Sequence, residues 1–319
     1  MQRLMLLLLC CLLLLTGCSR DPIAPMASQS PAMVPAPSVD QMRESTNQTI
    51  LWFRYDSEPL LAPEAREIVF TTAENHALAV LRALMDGPGV ASLGLHGLFP
   101  AGTHVISATQ SGRTIFVTLS RHIMNAYPDE PSDWQNHPVW AIEVPLRRKL
   151  AMQAIAATLT ENFEVDQVVI LVDQSATDSL RLRNAYYTLD GDPGLAPPLT
   201  REESMLLTPS RTAEVILQCW QASDWERLYH YMAQQDPATG LTKPDLPEFT
   251  ALMSAQPHLL HACAEGGSIS ESSAVFTVHG AFLADGQPSE FTAMPLRLTK
   301  DKGLWRVGLS QLTGREASP

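Results

Sequence analysis

Apolar residues recur along the chain with two different spacings. In some segments they return every three or four residues, which predicts amphipathic helices, and in others they alternate with polar residues, which predicts half-buried strands. In the first half the predicted order is strand, helix, two strands, helix and strand, and in the second half helices precede three strands. Both orders indicate an α+β fold, so we expect two α+β domains.

The first domain is predicted over residues 48–175. A helix is expected after Thr71, because Thr71 and Glu74 have the spacing of a capping box with Thr71 as the N-cap. This helix should stop at the Gly-Pro-Gly stretch that starts at Gly87. A second helix is predicted over 143–162 from its apolar stripe. Strands are predicted at 48–54, 64–70, 105–109, 113–119 and 167–172.

A long loop, residues 121–142, interrupts this domain and carries Tyr127, Trp134 and Trp140. Trp and Tyr are common anchors at protein interfaces, so one hypothesis is that these three side chains bind a partner. The alternative is a loop that folds down over the core of the domain. The sequence leaves both open.

A second irregular stretch, residues 176–207, contains three prolines and is predicted to be a linker. The second domain is predicted over 208–312. One helix is expected after Thr208, which precedes a proline at the first helical position, and another after Ser223, which opens a capping box. The remaining predicted elements are a helix at 246–253, an antiparallel meander of strands at 275–282, 291–299 and 304–312, and a tail at 313–319.

The N-terminus has the pattern of a signal peptide. No polar side chain occurs from Leu4 to Leu15, and Arg3 is the only charge before residue 20. A helix of that length spans about 18 Å, which is too short for a bilayer core of about 30 Å. Residues 1–17 are therefore predicted to be removed from the mature protein.

Leu15, Thr16, Gly17 and Cys18 together resemble the bacterial lipobox, in which small residues precede a cysteine that becomes lipidated. The resemblance implies that Cys18 carries a diacylglycerol thioether and becomes the mature N-terminus, and two or more acyl chains anchor a protein stably. The alternative is an ordinary secretory peptide with a coincidental cysteine. Residues 18–47, rich in proline, are predicted to be a tether. We expect the protein outside the cytoplasm, anchored to the cell membrane, or to an outer membrane where one exists.

Composition narrows the class of protein. The hydrophobic fraction of 45% excludes a mainly disordered chain, and the net charge of −12 argues against a nucleic acid partner, because phosphate binding needs a basic face. Loss of Arg3 with the signal peptide changes the charge to 21 − 34 = −13. Cys219 and Cys263 then remain as thiols, which either pair outside the cytoplasm or stay separate and buried.

No metal, cofactor or catalytic site is predicted. His258 and His261 are three residues apart, with Cys263 nearby, and on a helix such a pair supplies two metal ligands, but no third and fourth ligand follow. No G-x-S-x-G, phosphate loop or dinucleotide motif occurs. The remaining candidates for acid–base chemistry, in a pocket of the second domain, are Asp224, Tyr229, His230 and His279.

Short stretches of the first domain occur in a recognisable order. They lie at 51–53, 66–68, 83–88, 97–103, 117–120, 158–161 and 165–173. In this order they resemble the GerMN family, named for a sporulation and spore germination protein, over about residues 49–174. The resemblance implies a non-enzymatic envelope module, which spore formers use in the assembly between mother cell and forespore.

The second domain resembles the cystatin-like and nuclear-transport-factor-2-like folds, through its topology and the stretches at 222–229 and 304–307. Such folds form a cone whose pocket holds either a ligand or nothing. We therefore expect a non-enzymatic, lipid-anchored protein that binds envelope proteins or the cell wall, in sporulation, germination or envelope maintenance. The alternative is a ligand-binding or enzymatic second domain, with the first domain as a spacer.

Overall fold

The computed structural model describes residues 44–71, 74–175, 178–186, 194–284 and 286–314. The predicted signal peptide, Cys18 and most of the tether lie outside these residues. Residues 43–319 form one compact unit.

Eleven strands and six helices are present in the described part of the chain, with short 3₁₀ turns between them. The strands are β1 (Glu44–Tyr55), β2 (Leu61–Thr71), β3 (Leu95–His96), β4 (Val105–Ser111), β5 (Thr114–Leu119), β6 (Gln167–Ser175), β7 (Asp178–Arg181), β8 (His258–Ile269), β9 (Ser273–Ala284), β10 (Gln287–Asp301) and β11 (Leu304–Val307). The helices are α1 (His76–Met85), α2 (Trp140–Asn162), α3 (Pro209–Ala222), α4 (Trp225–His230), α5 (Leu246–Ser254) and α6 (Leu309–Thr313).

The first α+β part contains two sheets. One sheet has the order β2-β1-β3 and the other the order β4-β5-β6-β7. Strands β5 and β6 are parallel, and the other neighbours in these sheets are antiparallel. A parallel pair needs a crossover, which α2 provides between β5 and β6. The expected α+β class is therefore confirmed for this part.

Helix α1 begins later than predicted. Thr71 is the last residue of β2, and the N-cap is Asn75, whose side-chain oxygen accepts a hydrogen bond from the backbone N–H of Leu78 at 3.2 Å. Glu74 forms an ion pair with Arg82 instead of closing a capping box. The predicted helix end is confirmed, since Gly87 follows with φ of +89°, a conformation that favours glycine.

The stretch predicted as a linker is part of the packed structure wherever it is described. Strand β7 extends the second sheet, and Leu199 forms a bridge with Val168 of β6. Leu182 and Tyr186 are buried as well. The prediction of an irregular linker was therefore wrong here, because scattered apolar residues without a period still cover a core.

The second α+β part packs helices against a four-stranded antiparallel sheet of order β11-β10-β9-β8, which confirms the predicted meander. Strand β8 was not predicted. It contains His258 and His261, so they do not share a helix face. The predicted strand at 304–312 ends at Val307, where Gly308 leads into α6. Helix α4 starts after Asp224 as N-cap, one residue later than predicted.

The space between these helices and the sheet is filled by aromatic side chains. Trp220 and Phe276 are 4% and 3% exposed. Phe282 stacks on Phe291 and also contacts Trp220, with ring centroids 4.7 and 5.6 Å apart. In the described part of the chain, no helix is both long and apolar enough to cross a membrane.

Candidate functional site

A polar groove opens where the turn between β1 and β2 meets helix α4. It consists of two adjoining clefts with volumes of about 430 and 710 Å³, which share Asp56, Ser57 and His96. The first cleft extends to the start of α2, and the second extends to α4. We call this feature the junction groove.

The β1–β2 turn holds Asp56 in an unusual backbone conformation. Its φ is +43°, and its backbone N–H donates to the carbonyl oxygen of Gly94 at 2.7 Å. Gly94 has φ of +80°, and a Cβ atom there would lie 3.2 Å from a carboxylate oxygen of Asp56. Glycine is therefore required at this position by both conformation and space.

The Asp56 carboxylate lies between two imidazoles from different parts of the chain. One oxygen is 3.1 Å from Nδ1 of His230, at the end of α4, and the other is 3.9 Å from Nε2 of His96, in β3. Both histidines are about half exposed. A carboxylate and two imidazoles facing solvent can exchange hydrogen bonds with a polar ligand.

A charge network forms the wall of the first cleft. Glu143 of α2 binds both Arg54 of β1 and Arg147, which also binds Asp129. Burial raises the pKa of Glu143, but hydrogen bonds from Arg54 and Arg147 outweigh burial and lower the pKa overall. The Glu143 carboxylate is therefore held ionised between two guanidinium groups.

The second cleft contains a two-pronged ion pair between the two α+β parts. Nε and one terminal nitrogen of Arg227 bind the two oxygens of Glu58 at 2.6 and 2.7 Å. Glu58 is 8% exposed. The hydrogen bond to Glu58 is the main reason that the pKa of Arg227 is raised. Such planar pairing fixes geometry as well as charge.

Tyr55 anchors the same junction from below. Its hydroxyl donates to the backbone carbonyl of His230 at 2.6 Å and accepts from Arg306 at 2.7 Å. Its ring packs against Tyr231, with centroids 5.4 Å apart. Burial raises the pKa of Tyr55 above its ordinary value, so the hydroxyl stays protonated and able to donate. The floor of the groove is thus made by residues from both parts.

The three aromatic residues predicted to bind a partner pack against arginines of α2. Tyr127 is 8% exposed and donates its hydroxyl to the carbonyl of Leu98 at 3.0 Å. Trp140 lies under Arg147 and Trp134 under Arg148, at 5.2 and 5.4 Å from ring centroid to guanidinium carbon. Tyr127 therefore folds over the core, whereas both tryptophans remain half-exposed and a partner role for them stays a prediction.

The four acid–base candidates of the second part do not share one pocket. Asp224 caps α4, and His230 lines the junction groove. Tyr229 donates its hydroxyl to the carbonyl of Pro244. His279 lies in β9, opposite Cys263 of β8. Among the described residues, no three His, Cys, Asp or Glu side chains are placed to hold a metal ion. Cys219, which is buried, and Cys263, which is exposed, are both free thiols.

Sequence reasoning missed most of the junction groove. Glu58 and Arg227 are 169 residues apart, and neither stands in a motif. His230 was considered only for an internal pocket, and Asp56 and His96 were not considered. No local signal identifies such residues, because long-range packing alone brings them together.

Residues 51–178 match the model of the Germane family, described as sporulation and spore germination. This confirms the predicted resemblance of the first part. No curated protein gave a significant match to this chain.

Solved structures of related domains also align with the chain. The tandem GerMN domains of the sporulation protein GerM from Bacillus subtilis are 17% identical, with a TM-score of 0.32, over 50% of this chain and 48% of that one. This chain thus spans about half the length of the tandem protein. A putative lipoprotein from Clostridium perfringens is 18% identical, with a TM-score of 0.28, over 51% and 90% of the two chains. A protein labelled Rd1NTF2_05 covers 30% of this chain, with 13% identity, a TM-score of 0.22 and 87% of its own length.

Proposed function

Because residues 51–178 form a Germane domain, of a family linked to sporulation and germination proteins, we propose that this protein is a non-enzymatic, lipid-anchored binding protein of the cell envelope. Cys18 carries the lipid, and the mature chain lies outside the cytoplasm. Its partner is an envelope protein or the cell wall, and its role lies in sporulation, germination or envelope maintenance.

The observation that carries this proposal is the junction groove. Two α+β parts meet through Tyr55 and the Glu58–Arg227 pair, and an open polar groove lies along their contact. A groove built from both parts suits recognition of an extended polar partner, because hydrogen-bonding groups line it along two connected clefts. The interior of the second part supports a binding role over catalysis, because aromatic side chains fill the space in which a cone-shaped pocket would lie.

Photo-crosslinking tests the groove. A benzophenone amino acid replaces exposed Ser57 in the groove, and Ser272, an exposed serine in the turn between β8 and β9, serves as the matched control. We expect Ser57 to give a discrete crosslinked envelope protein, or retention on isolated peptidoglycan, that the Ser272 position does not give. Equal crosslinking patterns from both positions would contradict a role for the groove.

Membrane fractionation tests the anchor. The Cys18→Ala variant should lose lipid labelling and leave the membrane fraction. If it stays in the membrane fraction without lipid, the lipoprotein interpretation is wrong. In a spore-forming host, loss of the gene should lower the yield of heat-resistant spores or slow germination, and an unchanged yield and rate would restrict the role to envelope maintenance.

The competing function is a ligand-binding or enzymatic second domain. It requires a cavity among α3, α5 and the β8–β11 sheet, where Trp220 and Phe276 now pack. A Trp220→Ala variant that binds small apolar ligands no better than the unchanged protein, while Ser57 crosslinks a partner, would favour the binding function over this alternative.

A further inference from the structure

A further cleft differs from the junction groove in having an apolar floor and a cationic rim. Its volume is about 280 Å³, and it lies between the 3₁₀ turn Arg121–Met124 and strand β7. Val172, Leu182 and Tyr186 form the buried floor. Around the floor lie three arginines, Arg148, Arg181 and Arg183. We call it the arginine-lined cleft.

Exposed apolar side chains stand at the mouth of this cleft. Met124 is 52% exposed and Leu180 is 46% exposed. Next to them, the Arg148 guanidinium lies between the rings of Trp134 and Tyr186, at 5.4 and 5.2 Å from their centroids. Glu130 accepts a hydrogen bond from Arg148 at 2.9 Å and holds it in this position. The cleft therefore continues onto the half-exposed Trp134.

This combination matches the chemistry of a phospholipid. Methionine, leucine and tryptophan side chains gain free energy when they leave water for the interfacial region of a bilayer, and arginine binds phosphate through paired N–H groups. Three arginines line one small cleft in a chain whose acidic residues outnumber its basic ones by 34 to 22. The positive charge is therefore placed locally, against the overall balance of the molecule.

The length of chain before β1 allows any face of the protein to reach the membrane. Residues 18–43 separate Cys18 from Glu44, and about 26 residues of extended chain span roughly 90 Å. A folded body of about 280 residues has a radius of gyration of roughly 19 Å. Tethering also raises the effective concentration of the surface to about the millimolar range, so a weak contact is enough to be populated.

We propose that the arginine-lined cleft docks the protein onto phospholipid of the membrane that holds its anchor. Met124, Leu180 and Trp134 enter the interfacial region, and the arginines contact lipid phosphates. Docking orients the body with this face toward the bilayer and leaves the junction groove open. The proposal rests on the anchoring proposed above, and it replaces a protein partner for Trp134 by a lipid surface.

The test supplies the anchor chemically, so that it does not depend on natural lipidation. The mature chain from Cys18, with Cys263→Ser, is coupled at Cys18 to a maleimide lipid in vesicles of phosphatidylcholine and phosphatidylglycerol with brominated acyl chains. Bromine quenches tryptophan fluorescence at contact. The difference between this protein and its Trp134→Phe variant reports on Trp134 alone.

We expect brominated lipid to quench Trp134, and Leu180→Asp to reduce that quenching at least about threefold, because a carboxylate does not enter the interface. Arg181→Glu leaves the apolar floor intact and should reduce quenching mainly in vesicles that contain phosphatidylglycerol. Ile269→Asp is the matched control, since Ile269 is 56% exposed on β8, and it should leave quenching unchanged.

Two results would overturn the proposal. One is Trp134 fluorescence that brominated lipid does not quench in the anchored protein. The other is equal quenching in the Leu180→Asp, Arg181→Glu and Ile269→Asp variants, each shown to be folded by its unfolding transition. If Trp134 is not quenched but Leu180→Asp abolishes a crosslink from this face to an envelope protein, the cleft binds protein instead of lipid. Failure of natural lipidation would show separately, in the Cys18→Ala fractionation.

Discussion

The side-chain amide of Asn162 hydrogen-bonds to both backbone groups of Ile50. Its oxygen accepts from the Ile50 N–H at 3.0 Å, and its nitrogen donates to the Ile50 carbonyl at 2.8 Å. Thr158, one helical turn earlier, accepts from the N–H of Trp52 at 3.2 Å. Helix α2 thus satisfies the edge of β1 that faces away from β2, where an unpaired strand edge would invite association with another chain.

We predict that Asn162→Ala lowers the free energy of unfolding by about 1–3 kcal/mol, because two backbone groups of a part-buried strand lose their partners. Urea unfolding monitored by tryptophan fluorescence measures the change. The control is Asn136→Ala, at an exposed asparagine, where a change within about 0.5 kcal/mol is expected. Equal losses in the two variants would show that α2 does not protect this edge.

The Glu58–Arg227 pair should couple the two α+β parts. We predict that Glu58→Ala or Arg227→Ala alone costs about 2–3 kcal/mol, since each leaves a partly buried charge without its partner, and that the double variant costs less than the sum. A double-mutant cycle in urea measures the coupling. Arg113 and Asp166 form an exposed pair for comparison, where coupling should stay below about 1 kcal/mol.

Gly94 should control the position of Asp56. In Gly94→Ala, both the positive φ and the close approach to the Asp56 carboxylate oppose the new methyl group. Gly112→Ala is a matched control, because Gly112 has φ of +60° and no neighbouring atom lies within 4 Å of the position that a Cβ would take. We predict a loss of about 1 kcal/mol for Gly112→Ala and a larger loss for Gly94→Ala.

The same pair of variants tests the junction groove. Only Gly94→Ala should also weaken crosslinking from Ser57, because it displaces the carboxylate that lies beside His230 and His96. If both glycine variants lose the same stability and both keep the crosslink, the close approach at Gly94 has no role.

Asp236 should contribute to acid sensitivity. Burial raises the pKa of its carboxyl, but hydrogen bonds from Ser310, Thr239 and Ala238 outweigh burial and lower the pKa overall. A folded-state pKa below the unfolded value of about 3.9 stabilises the protein above that pH, and the stabilisation is lost as pH falls through the folded pKa.

The Asp236→Asn variant should therefore be less stable than the unchanged protein at pH 7, by about 1–3 kcal/mol, and the difference should shrink as the pH falls below about 4. Urea unfolding at pH 7, 5, 4 and 3 measures both values. A difference that stays constant across these pH values would show that the Asp236 charge does not link stability to pH.

Short-range features of the fold were predictable from the sequence. The end of α1 at Gly87, the β4–β5 hairpin at Gly112 and the start of α3 at Thr208 depend on residues within one turn of each other. The same local reasoning failed at Thr71, where strand pairing with Glu44 extends β2 and moves the helix cap to Asn75. Tertiary pairing therefore overrode a local capping pattern.

The amino-acid sequence by itself determined the α+β class, the Germane resemblance and the predicted lipid site at Cys18, because periodicity, caps and a cleavage pattern are written in neighbouring residues. Only the tertiary structure decided that β8 is a strand, that residues 194–207 pack on the core and that Glu58 meets Arg227. The physical reason is distance along the chain: these contacts join residues whose encounter depends on how whole elements pack, and no short pattern records it.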